Sequence, residues 1–250
     1  MDIPVLVPLE LFLAGLIIFA AAVIKGTVGM GFPLVAVPLV ASLMGPRPAV
    51  VIVAIPALLS NAYLVFQGGA SDRRGREFAW LLAGLVVGTV LGARAMRGLD
   101  ARWLSVILGT VATVYALIAL VWVTARLPGI STPAMKVGVG AVAGLLGGTT
   151  AVFGPVLASY LDGLRLAKDE FVFWITVFFS VGGVVQVGTY LHLGMYRGSG
   201  LTLALLLCVP MLVGTWAGIR LRTRCSAAGF RTFVLLVIMT SGLNLIVRAL

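Results

Sequence analysis

Charged residues divide this sequence into long charge-free runs, and these runs constrain the fold more than any other feature. Nine runs have 14 or more residues: 11–24, 26–46, 48–71, 78–93, 103–125, 137–161, 171–196, 198–219 and 232–247. Most reach or approach the roughly 20 residues that a helix needs to cross a bilayer. Because unpaired backbone groups are costly in hydrocarbon, such runs must form helices or close a barrel. The alternation typical of barrel strands is absent, so the sequence predicts an all-α polytopic membrane protein.

Composition supports this interpretation. Only 10% of the residues are charged and 61% are hydrophobic, whereas soluble domains carry about 25% charge. The net charge of +10 would suggest nucleic-acid binding on a soluble protein, but here the basic residues lie between apolar runs. They indicate membrane topology and anion electrostatics, and we expect no nucleic-acid partner.

Catalysis is poorly supported by the sequence. The chain has one histidine, and its two cysteines, Cys208 and Cys225, form no CxxC motif. No serine–histidine–aspartate or paired-carboxylate arrangement is available to a membrane site. We therefore expect no enzyme activity, no metal site and no cofactor.

Two stretches interrupt the apolar runs with glycines and a proline. They are GTVGMGFPLVAVP from Gly26 to Pro38 and GGTTAVFGP from Gly147 to Pro155. Helix continuity should fail at both stretches. The segments that follow each break, 34–44 and 156–161, are too short to cross the bilayer, so we expect half-helices or re-entrant segments.

The sequence also contains an internal repeat. VGTVLGAR at 87–94 and VGTWAGIR at 213–220 share five of eight residues at an offset of 126, and the two glycine–proline stretches align at an offset of 122. We therefore predict two homologous halves, residues 1–124 and 133–250, joined by a linker at 125–132. The fold would have about eight transmembrane helices plus the short broken helices.

Each half holds five segments, A to E, of which B is the short one. Segments A, C, D and E lie near 8–30, 48–66, 78–96 and 103–124 in the first half and near 134–152, 169–192, 199–221 and 228–249 in the second. If B is re-entrant, each half crosses four times and the halves are parallel. If B completes a crossing, each crosses five times and the halves are inverted. Basic residues divide ten to seven in the first arrangement and eleven to six in the second, which leaves both open.

Broken helices in duplicated halves are the sequence pointer to a transporter's substrate site. A break frees backbone N–H groups, and a helix amino terminus carries about half a positive charge, which favours an anion. Lys25 stands directly before the first break, where an ionisable residue is a functional hypothesis. The candidate binding residues are Lys25, Gly26, Thr27, Gly29, Gly31, Pro33, Asn61, Gly148, Thr149, Thr150, Gly154, Pro155 and Gln186. The alternative is that the glycines only allow close helix packing.

Other polar residues are weaker candidates. Asn61 and Gln186 would form polar walls of the site, or hydrogen bonds between helices. Tyr190 and His192, near the end of segment C, would lie at the membrane interface or take part in a proton relay. Arg94 and Arg220 occupy the same position in the two copies of VGTxxGxR. They would either cap segment D or gather anions electrostatically at a pore mouth.

The glycine–proline segment GTVGMGFPLVAVP, its degenerate copy GLLGGTTAVFGP and the repeated VGTxxGxR resemble the sulfite exporter TauE/SafE family of membrane permeases. This resemblance implies a multi-pass protein of the bacterial inner membrane with about eight helices. It also implies a sulfur-containing substrate such as sulfite or a sulfonate. The usual run of consecutive glycines is interrupted here by Phe32 in the first copy and by Ala151, Val152 and Phe153 in the second.

These observations together predict a transporter of a small anion, sulfite, a sulfonate or another organosulfur anion, bound between the two broken segments. An anion channel, and a membrane enzyme or accessory protein without transport, are the alternatives. The expected partners are the anion and the lipid bilayer, and a homodimer is left open.

Overall fold

The computed structural model describes residues 7–28, 31–67, 75–121, 132–221 and 227–250, and these parts of the chain form helices without any strand. Eleven helices follow one another: α1 Pro8–Val28, α2 Phe32–Met44, α3 Pro46–Gln67, α4 Gly75–Gly98, α5 Ala101–Val121, α6 Pro133–Thr150, α7 Gly154–Gly163, α8 Lys168–His192, α9 Gly200–Leu206, α10 Cys208–Leu221 and α11 Ala227–Ala249. The predicted all-helical class is confirmed.

Five of these elements are long and apolar enough to cross a bilayer: Pro8–Thr27, Gly75–Gly98, Ala101–Leu120, Lys168–His192 and Gly200–Leu221. The last combines α9 and α10 and corresponds to predicted segment D, near 199–221. Within this span the α-helix is interrupted at Leu207. Pro210 lies one turn further on, and a proline clashes with the carbonyl group four residues before it, which kinks or breaks a helix.

Helix contacts divide the chain into two compact units. The first unit contains residues 1–57, 99–123 and 194–250, and the second contains residues 58–98 and 124–193. Each unit therefore takes helices from both of the predicted halves. In the first unit α1 packs on α10 and α5 on α11, and in the second α4 packs on α6 and α8.

Glycines set the closest helix contacts in both units. In the second unit, Gly88 and Gly92 of α4 lie against the backbone of Ala141 and Leu145 in α6. In the first unit, Gly214 and Gly218 of α10 lie against Phe19 and Val23 of α1. These four glycines are those of the repeated VGTxxGxR motif. Small residues at such positions let helix backbones approach closely in a bilayer, so the motif's glycines serve helix packing.

In the second unit, α7 runs back toward the end from which α6 starts. Lys136, near the start of α6, donates a hydrogen bond to the Glu77 carbonyl near the start of α4 (3.1 Å). Trp174, early in α8, packs on Phe78, with ring centroids 4.7 Å apart. Helices α4, α6 and α8 thus begin at one end of the unit. Because α8 follows α7 after a short loop, α6 and α7 form a hairpin whose tip is the glycine break.

The first unit contains a corresponding hairpin. Helix α1 runs parallel to α10, since Phe19 meets Gly214 and Val23 meets Gly218. Helix α11 packs on α2 and also contacts α1, and the five residues that connect it to α10 span at most about 17 Å, so α11 runs back alongside these helices. Arg248, at the end of α11, donates a hydrogen bond to the Ser42 carbonyl near the end of α2 (3.4 Å). Helix α2 therefore ends where α11 ends, and it runs opposite to α1.

Helices α2 and α7, which follow the two breaks, are too short to cross a bilayer. Helix α2 has 13 residues and α7 has 10, which corresponds to about 20 and 15 Å of length, against a hydrocarbon core of about 30 Å. They have the length expected of half-helices. Each of these helices leads the chain back toward the end from which the preceding helix starts. This is the direction expected if segment B returns the chain to the side from which segment A starts.

Candidate functional site

The first break separates α1 from α2 at the position predicted from the sequence. Helix α1 ends at Val28 and α2 begins at Phe32. Gly31 precedes α2 with φ 99° and ψ 2°, and no side chain caps the helix. Pro33 occupies the first turn, where the N–H group that it lacks would have no partner within the helix. The amino terminus of α2 thus presents backbone N–H groups beside a left-handed glycine.

Lys25, Gly26 and Thr27 form the last turn of α1. The Lys25 side chain is only 3% exposed. Gly26 packs on α10, since a Cβ atom there would lie 2.5 Å from the Thr215 carbonyl oxygen. The Thr27 hydroxyl donates a hydrogen bond to the Val23 carbonyl of its own helix (2.6 Å). Lys25 is therefore the group of this turn whose chemistry suits an anion.

Replacing Gly31 by alanine should destabilise the protein through the backbone alone. A Cβ atom at this position would meet nothing within 4 Å, but a left-handed conformation costs a residue with a side chain about 1–2 kcal/mol. We expect the free energy of unfolding in detergent to fall by about that amount. Gly15→Ala is the matched control: its Cβ atom would also meet nothing within 4 Å, and no positive φ is found there. A Gly31 variant as stable as the Gly15 variant would contradict the strained turn.

The second break separates α6 from α7. Helix α6 ends at Thr150, and Ala151 follows with φ 62° and ψ 10°. The Thr150 hydroxyl donates a hydrogen bond to the Leu146 carbonyl (2.7 Å) and accepts one from the Val152 N–H (3.2 Å). Thr150 therefore works as a carboxyl-terminal cap of α6, and its hydroxyl hydrogen is already used.

Gly148 and Thr149 connect the end of α6 to α4. A Cβ atom at Gly148 would overlap the Thr89 carbonyl oxygen. The Thr149 hydroxyl lies 2.7 Å from the Leu145 carbonyl oxygen and 3.2 Å from that of Gly92. Both residues are buried. Their contacts in this structure hold the end of α6 in place. This is the role expected under the alternative interpretation, in which the glycines only allow close helix packing.

Helix α7 starts like α2, without a side-chain cap. Gly154 and Pro155 occupy its first turn, and Phe153 precedes it. The Phe153 ring lies against Gly147 of α6 and Gly182 of α8, since a Cβ atom at either glycine would meet it. The bulky residue that interrupts the glycine run therefore fills space beside the hairpin tip.

Gln186 and Tyr190 of α8 bind the end of α6. The Gln186 side-chain nitrogen donates hydrogen bonds to the Gly147 carbonyl (2.8 Å) and to the Tyr190 hydroxyl (2.9 Å). The Tyr190 hydroxyl donates to the Gly148 carbonyl (2.6 Å). Tyr190 is 0% exposed, so its ring packs against other helices of the protein. The four-residue spacing from Gln186, which places both on one helix face, was the signal in the sequence.

The remaining candidate residues lie on α3, α4 and α10. Asn61 is buried in α3, within the second unit. Arg94 is exposed near the end of α4. Arg220 is exposed in the last turn of α10, with its guanidinium carbon 3.9 Å from the centre of the Trp216 ring. These positions favour basic caps at the ends of segment D, and Gly29 lies outside the described residues.

The threonine and glutamine donors are thus directed to backbone carbonyl groups. The groups of positive character at the two breaks are the backbone N–H groups at the amino termini of α2 and α7 and the Lys25 ammonium group of the first unit. Oxyanions accept hydrogen bonds from such uncapped helix ends.

Comparison with known proteins supplies the family. A family model described as Sulfite exporter TauE/SafE matches residues 14–245. Comparisons with the curated proteins and with the solved structures give no match. The match takes in both hairpins and nearly the whole chain. Family membership and the long apolar helices indicate a multi-pass membrane transporter of sulfur anions. The chain belongs to the sulfite exporter TauE/SafE family.

Proposed function

We propose that this protein carries a small sulfur-containing anion, sulfite or a sulfonate, across the bacterial inner membrane. The observation that carries the proposal is that each short helix, α2 and α7, begins at a break in an otherwise apolar chain with no side-chain cap. The oxygen atoms of a sulfur anion would accept hydrogen bonds from the N–H groups of these first turns.

The charges of the described residues support an anionic substrate. Lys25 is buried in the last turn before the first break. Glu77, at the start of α4, lies 3.8 Å from the Lys136 ammonium group, and its side chain is 35% exposed. The acidic residues of the described helices lie in first turns or near helix ends, as Glu10, Glu77, Asp169 and Glu170 do in α1, α4 and α8. The Lys25 ammonium group therefore lies beside the first break, whereas the carboxylates lie in first turns or near other helix ends.

The repeated glycine contacts support two homologous halves, residues 1–124 and 133–250. The VGTxxGxR helix of each half packs on segment A of the other half through its glycines. One hairpin and three longer segments then make up each half. The direction of α7 favours the inverted arrangement of the halves, and in this proposal each half supplies one anion-binding helix terminus.

A ligand screen tests the proposed function. Purified protein in detergent would be heated with sulfite, sulfate, thiosulfate, sulfoacetate, taurine and carboxylate analogues. A ligand that binds only the folded state raises its stability, by about 2.7 kcal/mol at a hundred times Kd. We expect sulfite or a sulfonate to raise the unfolding temperature most. An equal response to carboxylates, or none to any sulfur anion, would contradict the proposal.

Flux measurements separate a transporter from a channel. In proteoliposomes, a carrier should show a sulfite flux that saturates with concentration. Currents that stay proportional to sulfite concentration would identify an anion channel instead.

A further inference from the structure

Two side chains of α8 close the carbonyl groups at the end of α6. A helix leaves its last four carbonyl groups without partners in the helix. Here the Gln186 nitrogen reaches the Gly147 carbonyl (2.8 Å) and the Tyr190 hydroxyl reaches the Gly148 carbonyl (2.6 Å). Both side chains are buried, at 2% and 0% exposure. Water therefore has little access to these carbonyl groups and could not easily replace the Gln186 and Tyr190 donors.

The lone pairs at this helix end can be counted. A carbonyl oxygen has two acceptor sites. The Gly147 oxygen accepts from the Ala151 N–H (2.7 Å) and from Gln186, which fills both. In a continuing helix the Gly148 carbonyl would accept a hydrogen bond from the Val152 N–H group, four residues ahead. Here that N–H group donates to the Thr150 hydroxyl instead. The Tyr190 hydroxyl thus supplies the partner that the helix break takes away from the Gly148 carbonyl.

Closing these acceptors changes the electrostatics of the break. The carboxyl end of a helix carries about half a negative charge, concentrated on its free carbonyl groups. Open carbonyl oxygens beside the α7 amino terminus would repel an anion and attract a cation. With Gln186 and Tyr190 in place, the carbonyl groups of Gly147 and Gly148 face donors, and the amino terminus of α7 keeps its positive character.

We propose that Gln186 and Tyr190 are positioning residues that make the α6–α7 break selective for anions by closing the carbonyl groups of Gly147 and Gly148. This inference rests on the proposed function, namely that the break binds a sulfur anion. It also accounts for a difference between the halves. At the offset of 126, the counterparts of Gln186 and Tyr190 are Ser60 and Leu64, whereas Lys25 stands in the first half only.

A pair of tyrosine variants tests the inference. Tyr190→Phe removes the donor to the Gly148 carbonyl, and Tyr196→Phe removes a comparable buried donor, since the Tyr196 hydroxyl bonds the Val51 carbonyl in the first unit (2.9 Å). The probe is sulfite, and the readouts are its Kd and the unfolding temperature. Loss of one such hydrogen bond should weaken sulfite binding about tenfold in Tyr190→Phe, whereas Tyr196→Phe should keep the wild-type Kd.

Two substitutions of Gln186 distinguish electrostatics from packing. Gln186→Glu keeps the shape but places a carboxylate beside the Gly147 carbonyl, and Gln186→Leu removes the donor without adding charge. At about pH 8, where an ordinary glutamate is ionised, we expect sulfite binding to weaken more in Gln186→Glu than in Gln186→Leu. The unfolding temperature of each variant without sulfite shows how much of its loss comes from packing, because a buried carboxylate also costs stability.

The outcomes separate the two proposals. A wild-type protein that binds sulfite, with the same Kd in Tyr190→Phe as in Tyr196→Phe, would overturn the inference and leave the proposed function standing. A loss in Gln186→Leu equal to or greater than that in Gln186→Glu would also overturn it. If no sulfur anion stabilises the wild-type protein, both proposals fail.

Discussion

Lys25→Met is expected to slow sulfite transport in proteoliposomes strongly while the protein still folds. The Lys25 side chain is 3% exposed in the last turn of α1, where little water screens its charge. A hydrogen bond to a charged group contributes about 1.5–3 kcal/mol, and each 1.4 kcal/mol corresponds to a tenfold change. We expect the transport rate at low sulfite concentration to fall about a hundredfold, and Lys25→Arg to retain part of it.

Lys136→Met is the matched control for this substitution. Lys136 is the other buried lysine of the described chain, at 7% exposure. Its ammonium group bonds the Glu77 carbonyl (3.1 Å) and lies 3.8 Å from the carboxylate. Removing it should lower stability and leave the sulfite Kd near the wild-type value. Unchanged transport kinetics in Lys25→Met would remove Lys25 from the site, whatever the control shows.

Gly140→Ala is expected to have the largest effect on stability. Gly140 lies where α6 crosses α4, and a Cβ atom there would overlap the Leu81 carbonyl oxygen. A backbone atom cannot turn away as a side chain can, so the two helices must move apart along a contact that also includes Gly144 and Gly148. Overpacking of this kind costs about 1–3 kcal/mol. We expect the protein to unfold at lower temperature in detergent and to give less monodisperse material.

Gly138→Ala provides the control within the same helix. Gly138 is two residues away, and a Cβ atom there would meet nothing within 4 Å. Because alanine is favoured over glycine in helices by about 1 kcal/mol, this variant should be as stable as the wild-type protein or more so. Equal stability of the two variants would show that the close contact between α4 and α6 is not needed for folding.

Several features of the fold could be predicted from local sequence. The glycines and prolines around Gly31 and Gly154 predicted both breaks, because a proline supplies no N–H group to a helix and glycine tolerates positive φ. The long charge-free runs predicted the spans for the same local reason, since charge is costly in hydrocarbon. The interruption of the helix at Leu207 lies one turn before Pro210, which marks it in the sequence.

The direction of polar side chains could not be predicted in the same way. Thr27, Thr149 and Thr150 are candidate binding residues by sequence, but the hydroxyl group of each donates to a carbonyl group four residues back. In a bilayer a hydroxyl group must find an acceptor nearby, and the preceding helical turn supplies one. For Tyr190, burial depended on which helix α8 packs against, and that is a long-range contact.

The sequence by itself determined the membrane environment, the helical class, the two breaks and the residues that flank them, because each follows from the chemistry of a few neighbouring residues. The tertiary structure decided the direction in which the short helices run and the use of the motif's glycines in pairing α1 with α10 and α4 with α6. It also decided that Gln186 and Tyr190 close the end of α6. Those properties depend on contacts between residues far apart in the chain, where backbone carbonyl groups and closely packed glycines from different helices meet.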